Sequence, residues 1–323
     1  MPEGHSVHRI AGQFARHFVG SMCKISSPQG RFGDAALIDG HTIIRAYAVG
    51  KHLFLEFDTG DSLHVHLGIY GAWDFAGAVW MDDTALAAGG RMGQTAGRGT
   101  VVGAHEDSLA SIGAPRRTRL RMGERDIVGI LTDAFPPDPI GQVRVRILTG
   151  EAVADLRGPT VCEVVSAARV AEILDDLGPD PLVDKKGEER FLVRVKRTAT
   201  PIGRALMNQK IVAGIGNVYR AEMLFRARLS PYIPANSLPD ETLRALWTDW
   251  VGLLTIGVKT GQMLTMDGLT PNRKRAALAN RADRHWVYRR AGEPCRICGT
   301  SIVLDIMEAR KLYFCPNCQG AAA

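Results

Sequence analysis

The C-terminal part of the chain contains two short cysteine motifs, Cys295-Arg296-Ile297-Cys298 and Cys315-Pro316-Asn317-Cys318, separated by 16 residues. This spacing is typical of a zinc ribbon, in which each Cys-x2-Cys pair forms a tight knuckle and the intervening residues form a β-hairpin. Four thiolates fill a tetrahedral site and leave no open position, so we expect one structural Zn²⁺. Redox-active thiol pairs are the alternative, which two pairs at ribbon spacing disfavour.

A zinc deaminase is excluded by the histidines. Pro294-Cys295-x2-Cys298 resembles half of the deaminase signature, whose other half is a His-x-Glu motif. None of the nine histidines is followed by Glu two positions later. The cysteine motifs therefore predict a structural metal centre and not a catalytic one.

The composition indicates a chain with room for two or three domains. Its 323 residues are 46% hydrophobic, which is enough for several cores. Residues 1–180 carry 17 Lys and Arg against 22 Asp and Glu, while residues 181–323 carry 23 against 12. Such a basic half indicates a polyanionic partner, most often nucleic acid. Because no apolar run approaches the ~20 residues of a membrane span and no signal peptide is evident, we expect a cytoplasmic protein without a membrane partner.

The N-terminus reads Met1-Pro2-Glu3-Gly4-His5. If Met1 is removed, as is usual before a small residue, Pro2 carries a free secondary amine. An N-terminal amine has a pKa of about 7.7–8.0, against about 10.4 for lysine, so part of it is neutral and nucleophilic near pH 7. Its attack on an aldehyde-like carbon would give an iminium ion. The simpler alternative is that Pro2 only assists Met removal and starts the first helix.

Local patterns divide the chain at the break Asp175–Leu182. Before it, apolar residues at helical spacing predict a helix from Val7 to Phe18 that ends at Gly20. Residues 85–114, rich in Gly and Ala, are predicted to be a flexible insertion. Helical patterns follow from about 186 to 285. Short alternating runs predict strands of a sandwich or barrel at Thr42–Tyr47, His52–Phe57, Leu63–Leu67, Trp73–Phe75, Thr118–Met122 and Val143–Leu148.

A glycine-rich turn, Gly214-Ile215-Gly216-Asn217, interrupts the helical part. Two glycines and an asparagine allow backbone N–H groups to approach a phosphate closely. The turn is not a dinucleotide fingerprint, because the third glycine is absent and no strand precedes it. A plain helix–helix turn is the alternative.

Taken together, these motifs resemble one family, the formamidopyrimidine-DNA glycosylase/endonuclease VIII family of base-excision repair. The start of the chain and Asn208-Gln209-Lys210 are more similar to the endonuclease VIII branch. The resemblance spans nearly the whole chain apart from residues 85–114. It is carried, in order, by Pro2-Glu3-Gly4, Gly50-Lys51, Gly214-Ile215-Gly216-Asn217-Val218-Tyr219-x2-Glu222 and Phe314-Cys315-Pro316-x-Cys318-Gln319.

The resemblance implies a multidomain α+β fold. An N-terminal helix plus β-sandwich domain would occupy residues 1–177 and a hinge residues 178–185. A helix–two-turn–helix DNA-binding domain would occupy residues 186–288 and a four-cysteine zinc ribbon residues 289–323.

The resemblance also implies the catalytic residues. Pro2 would be the nucleophile that attacks C1′ of the damaged nucleotide, and Glu3 would handle protons at the sugar. Lys51 would contact phosphate and assist proton transfer. Arg310, on the ribbon hairpin, would grip phosphate, although Ala309 stands where the family usually has glycine.

A second group of residues is implied to contact DNA. A base must leave the stack before C1′ can be reached, and Ile69 and Tyr70 align with the loop that fills the gap. The alternative for both is packing within the sandwich. The remaining candidates are phosphate-binding Asn217, Gly214, Gly216 and Lys210, and Asp180 at the hinge.

The sequence therefore predicts a monomeric bifunctional DNA glycosylase/AP lyase that acts on oxidised bases, with pyrimidines favoured, in double-stranded DNA. In a bacterium it would associate with the nucleoid. Two alternatives stay open: an oxidised-purine glycosylase (formamidopyrimidine or 8-oxoguanine), and a non-catalytic zinc-dependent DNA-binding protein.

Overall fold

The computed structural model describes residues 2–79, 111–114 and 135–320, which form two compact units. The first unit comprises Met1–Leu174 with Thr260–Gln262, and the second comprises Asp175–Lys259 with Met263–Ala323. Within the described ranges, no helix is both long enough and apolar enough to cross a membrane.

The first unit begins with helix α1 (Gly4–His17), which buries Val7, Ile10 and Phe14 at the predicted helical spacing. Among the described residues, this unit also contains the short helices α2 (Ala35–Ile38) and α3 (Ala167–Asp176). The strands described there are β1 (Lys24–Ser26), β2 (Ile43–Val49), β3 (His52–Phe57), β4 (Ser62–His66), β5 (Ala72–Gly77), β6 (Ser111–Gly113), β7 (Val143–Leu148), β8 (Ala152–Arg157) and β9 (Val161–Val165). They pair in two antiparallel sheets, one in the order β2-β3-β4-β9 and the other in the order β1-β7-β8-β5-β6.

One apolar cluster holds α1 and both sheets together. It contains Phe14 from α1, Leu55 from β3 and Trp73 from β5. The rings of Phe14 and Trp73 meet edge to face at 4.8 Å, an arrangement that adds to the energy of burial. Burial of one face of each sheet in a shared core is what defines a β-sandwich.

The strand predictions at His52–Phe57 and Val143–Leu148 match the structure residue for residue. The prediction for 85–114 is wrong at its C-terminal end, because Ser111–Gly113 pair with β5 as strand β6. The rest of that predicted insertion and the predicted strand Thr118–Met122 lie outside the described residues.

The second unit contains the helical segment and the cysteine module. Helix α7 (Asp240–Thr260) is the longest described there, and its N-terminal Asp240 and Glu241 suit the helix dipole. Helix α8 (Pro271–Ala279) has a Thr270 N-cap and Pro271 as its first residue, a favoured start. The helices are α4 (Gly187–Lys196), α5 (Ile202–Ala205), α6 (Asn217–Arg226), α7 (Asp240–Thr260) and α8 (Pro271–Ala279), with 3₁₀ turns at Ala235–Ser237 and Arg281–Asp283.

Two apolar clusters stabilise this unit. The larger joins α4, α6 and α7 through residues such as Phe191, Tyr219 and Trp250. The smaller lies between α6 and the cysteine module, where Phe225 packs with Tyr313 and Cys315. The module is built on an antiparallel hairpin of β10 (Val303–Met307) and β11 (Arg310–Phe314), as its cysteine spacing predicts.

Candidate active site and zinc centre

Pro2 and Glu3 are buried directly before helix α1. Glu3 is the N-cap residue, yet its side chain does not cap the helix. Its carbonyl oxygen accepts a 3.0 Å hydrogen bond from the amide of Ser6. Burial, and then the nearby Arg9, lower the pKa of His5 to about 3, so this imidazole is neutral near pH 7. The structure thus places a carboxylate and a neutral imidazole in the turn that follows Pro2.

Lys51 lies in the two-residue turn between β2 and β3, where Val49 pairs with His52. Gly50 has a φ of 59°, and Lys51 has no positive φ. This is the pattern of a type II′ turn, in which glycine takes the first central position. The local sequence therefore determines the geometry of the turn and with it the position of the Lys51 backbone.

Ile69 and Tyr70 lie in the loop that follows β4, and they are 48% and 40% exposed. The loop closes through a 2.9 Å hydrogen bond from the amide of Gly71 to the carbonyl of Leu67. A Cβ at Gly68 would lie 1.7 Å from the hydroxyl of Thr160, so the loop needs glycine there. The exposure contradicts the alternative that Ile69 and Tyr70 pack inside the sandwich.

Sequence reasoning missed a cluster of histidines at the base of these two segments. His52 and His66 are cross-strand partners, so one pair joins the Lys51 turn to the 67–71 loop. His64 Nε2 lies 2.9 Å from His52 Nδ1, and His64 Nδ1 lies 2.9 Å from Oε1 of Glu163. The His64-Val65-His66 alternation directly before the loop was the signal available in the sequence.

The glycine-rich turn precedes α6. Gly214, at a φ of 90°, donates its amide to Oε1 of Gln209 at 3.0 Å, so this N–H is used within the turn. Gly216 is the N-cap residue of α6. Asn217 is 5% exposed, its Oδ1 accepts from Arg220, and its Nδ2 donates to the carbonyl of Lys311 at 2.7 Å. In this structure Asn217 links α6 to the ribbon hairpin.

Arg310 is exposed at the start of β11, next to the two-residue turn Glu308-Ala309. Both turn residues have positive φ, 53° and 55°, the geometry of a type I′ turn. The hairpin tip therefore forms without the glycine that the family usually has at position 309. Arg204 on α5 pairs with Glu308 at 3.0 Å.

Lys210 and Asp180 are both engaged within the second unit. Lys210 Nζ lies 2.7 Å from a carboxylate oxygen of Asp176, and both side chains are exposed. Asp180 is 1% exposed, and its Oδ1 accepts the amide of Leu182 at 2.9 Å. The observed role of Asp180 is thus to cap a turn.

Glu222 anchors the segment that leads into the cysteine module. Its buried carboxylate accepts the amides of Trp286, Val287 and Tyr288 at 2.7–2.9 Å, and the hydroxyl of Thr265. Burial raises the pKa of Glu222, and these hydrogen bonds oppose the rise. The sequence motif contained Glu222 without indicating this role.

The four ribbon cysteines converge as their spacing predicts. All four Sγ atoms lie within 4.8 Å of one another, with 3.8 Å between Cys295 and Cys318 and 3.5 Å between Cys298 and Cys315. A tetrahedral Zn²⁺ with Zn–S bonds of about 2.3 Å separates its sulfurs by about 3.8 Å. The donor set therefore fits one structural Zn²⁺ and leaves no open coordination position.

Family models match three parts of the chain. They describe the formamidopyrimidine-DNA glycosylase N-terminal domain at residues 1–98, the H2TH domain at 177–267, and a zinc finger found in FPG and IleRS at 292–320. Endonuclease 8 1 of Mycobacterium tuberculosis (strain H37Rv) is 36% identical over 320 residues, covering 99% of this chain and 100% of that protein. The chain belongs to the formamidopyrimidine-DNA glycosylase/endonuclease VIII family. The resemblance predicted from the motifs is thereby confirmed.

Further relatives match over a smaller share or at lower identity. A formamidopyrimidine-DNA glycosylase of Thermus thermophilus is 36% identical over 152 residues, which is 47% of this chain and 57% of that protein. The crystal structure of MutM (Fpg) from Thermus thermophilus covers 100% of both chains with a TM-score of 0.65 and 23% identity. Lactococcus lactis Fpg bound to DNA containing an AP site has a TM-score of 0.65 and 20% identity, and covers 98% of this chain and 99% of its own. These structures confirm the predicted fold class.

Family membership also settles the broad activity. Members of the family are DNA glycosylases with AP lyase activity, so the chain is an enzyme of this class. The zinc-finger match and the geometry of the four cysteines together confirm the predicted single structural zinc.

Proposed function

We propose that this enzyme is a bifunctional DNA glycosylase/AP lyase that removes oxidised bases, pyrimidines in preference, from damaged double-stranded DNA. The main support is the match to Endonuclease 8 1 along 99% of the chain, whereas the Thermus thermophilus formamidopyrimidine-DNA glycosylase matches 47% of it. The motifs resemble the endonuclease VIII branch, and that resemblance implies a preference for pyrimidine lesions.

Pro2 is the proposed nucleophile. After Met1 is removed, its amine nitrogen forms a bond to C1′ while the bond from C1′ to the base breaks, and the base leaves with that electron pair. The nitrogen then loses its proton, and the C1′–O4′ bond breaks with its electron pair going to O4′, which takes up a proton. The opened sugar carries an iminium ion that draws electrons from C2′. Loss of a C2′ proton then expels the 3′ phosphate in β-elimination, and a second elimination expels the 5′ phosphate. Glu3, adjacent to Pro2, is the proposed acid/base for these proton transfers.

The cationic and polar candidates hold the phosphate backbone in this proposal. Lys51 lies in one two-residue hairpin turn, and Arg310 directly follows another. Asn217, Gly216 and Lys210 follow as phosphate contacts, with Gly214 and Asp180 shaping their loops. Phosphate contacts set register and affinity and do not read sequence.

Ile69 and Tyr70 are the proposed wedge that fills the gap left by the extruded base. Their exposure supports this role, because an apolar and an aromatic side chain held in water can replace the lost stacking. The same proposal retains the division into domain 1–177, hinge 178–185, domain 186–288 and ribbon 289–323. It also includes a monomer that works in the cytoplasm.

The decisive experiment is borohydride trapping on DNA that contains an abasic site. Wild-type protein is expected to form a covalent adduct, and Pro2→Gly is expected to lose base excision by about 100-fold or more, because activated nucleophiles contribute on that order. Pro28→Gly is the matched control, since it removes a proline from an exposed turn of the same unit.

Mass spectrometry of the purified protein identifies the first residue. No adduct from protein that demonstrably starts at Pro2 would refute Pro2 as the nucleophile that forms the Schiff base. Incision of duplexes with thymine glycol, 5-hydroxyuracil or 8-oxoguanine opposite cytosine then distinguishes pyrimidine from purine preference.

A further inference from the structure

Three hydrogen-bonding groups form a continuous chain across the four-stranded sheet of the first unit. Glu163 lies on β9, His64 on β4 and His52 on β3, and each is the cross-strand partner or diagonal neighbour of the next. Both links measure 2.9 Å. The chain ends at His52, the residue directly after Lys51.

The Glu163 carboxylate fixes which atoms donate and which accept along this series of hydrogen bonds. An ionised carboxylate only accepts hydrogen bonds, so His64 donates to Glu163 through Nδ1–H. His64 Nε2 then carries the lone pair that accepts from Nδ1–H of His52. Both imidazoles are therefore neutral Nδ1–H tautomers, the less common form of free histidine. His66 has the opposite tautomer, because its Nδ1 accepts the amide of Gly68 at 3.2 Å.

Ring stacking adds to the order of the chain. The rings of His52 and His64 are inclined by only 9° with centroids 5.1 Å apart, so they lie edge to edge as their 2.9 Å hydrogen bond requires, and the ring of Phe54 stacks on His64 at 4.9 Å. His64 is 4% exposed, whereas the Glu163 side chain is 45% exposed. The half-exposed Glu163 carboxylate thus orients the two histidines through hydrogen bonds.

Burial, and then nearby groups, keep the imidazoles neutral by lowering their pKa values. Burial and the neighbours His66, His64 and Lys51 lower the pKa of His52 to about 3, while burial, Lys51 and His64 lower that of His66 to about 4. Burial also lowers the pKa of His64, opposed by Glu163 and assisted by Arg169 of α3. The cluster therefore adds no positive charge next to the Lys51 ammonium near pH 7.

We propose that Glu163, His64 and His52 are positioning residues for Lys51. The carboxylate orients His64, His64 orients His52, and the oriented His52 ring holds the turn that presents Lys51 to the sugar–phosphate backbone. This inference rests on the role proposed for Lys51 above. It assigns no proton transfer to the histidines, since a group with so low a pKa is a poor acceptor beside a lysine ammonium.

Imidazole ¹⁵N spectra test the chain without reference to activity. At pH 7.5 we expect His52 and His64 as Nδ1–H tautomers and His66 as the Nε2–H tautomer. His64→Phe keeps an aromatic ring, a somewhat larger one, but removes both hydrogen bonds, so His52 should shift toward Nε2–H. An Nε2–H signal from His52 in the wild type would overturn the proposal.

Single-turnover cleavage of abasic DNA tests the consequence. We expect about a tenfold loss of rate in His64→Phe, with DNA affinity within about threefold, because small displacements of a reacting group reduce the rate more than binding. Glu163→Gln, which keeps the acceptor oxygen, should retain most of the rate, and Glu163→Leu should not. His41→Phe is the matched control, since His41 also contacts a carboxylate, that of Asp58, but is exposed.

The outcomes separate this inference from the proposed function. Glu163→Leu serves if His64→Phe fails to fold, because Glu163 is half-exposed. Unchanged cleavage by folded His64→Phe or Glu163→Leu would refute the positioning role. Full activity of Lys51→Ala would instead refute the role proposed for Lys51, whatever the tautomers show.

Discussion

Two hairpin turns in this protein present a proposed phosphate-binding cation, and they differ in how they form. The turn that contains Lys51 uses Gly50 at a φ of 59°, which costs glycine no steric strain. The turn before Arg310 places Glu308 and Ala309 at 53° and 55°, where each L-residue costs roughly 1–2 kcal/mol. The first turn is encoded locally, whereas the second requires support from elsewhere.

The structure shows where that support comes from. Asn217 and Arg220 of α6 both donate to the carbonyl of Lys311. Tyr232 bonds to Asp305 on the other strand of the hairpin. The exposed Arg204–Glu308 pair adds little, since surface ion pairs contribute about 0–1 kcal/mol. The ribbon hairpin is thus supported by its docking on α6, and we expect its zinc centre to support it as well.

Loss of zinc should therefore break the second turn and spare the first. Cys315→Ser removes one of four ligands and is expected to release the metal, since structural zinc contributes on the order of 10 kcal/mol to folding of such modules. DNA affinity should fall by at least tenfold. Zinc content by mass spectrometry and DNA binding by anisotropy measure both effects.

Cys162→Ser is the control, because Cys162 is a half-buried thiol outside the cysteine cluster. Zinc retention and full affinity in Cys315→Ser would show that the ribbon is not a structural metal site.

Gly50→Val should strain the first turn. A β-branched residue at this φ is expected to destabilise the first unit by about 1–2 kcal/mol and to displace Lys51. Gly60→Val is the matched control, because Gly60 also has a positive φ, 87°. It lies in the turn that joins β3 to β4, at the end of β3 opposite to the Lys51 turn. Denaturant unfolding should report similar losses for both variants, while abasic-site cleavage should fall only in Gly50→Val. Equal cleavage rates in the two variants would contradict a special role for the Lys51 turn.

Ala309→Gly should produce the smallest effect, a gain in stability. Relief of the positive φ is worth roughly 1–2 kcal/mol, and the extra freedom of glycine in the unfolded chain offsets about 0.5–1 kcal/mol of it. The zinc-loaded protein should unfold at a slightly higher temperature. Ala276→Gly, in the exposed helix α8, should change the stability in the opposite direction. A destabilised Ala309→Gly would mean that the turn is not strained.

The sequence alone predicted those elements whose signals are local. Helix α1, strands β3 and β7 and the zinc ribbon follow from periodicity and cysteine spacing. Strands β8 and β9 were not predicted, because the residues from 152 to 165 mix charged and apolar side chains. Their pairing with neighbouring strands defines them instead. Strand β6 was not predicted, because three residues after a Gly-rich stretch are too few to show an alternating pattern. Its pairing with β5 defines it.

The candidate site divides in the same way. The sequence by itself determined the four cysteines, because a ligand spacing is a property of neighbouring residues, whereas Pro2, Glu3 and Lys51 are predictions from the family resemblance. Only the tertiary structure decided that Asn217 bonds to the ribbon backbone and that His52, His64 and Glu163 form one chain. These contacts join residues up to about one hundred positions apart, and a hydrogen bond forms only when folding brings donor and acceptor within about 3 Å.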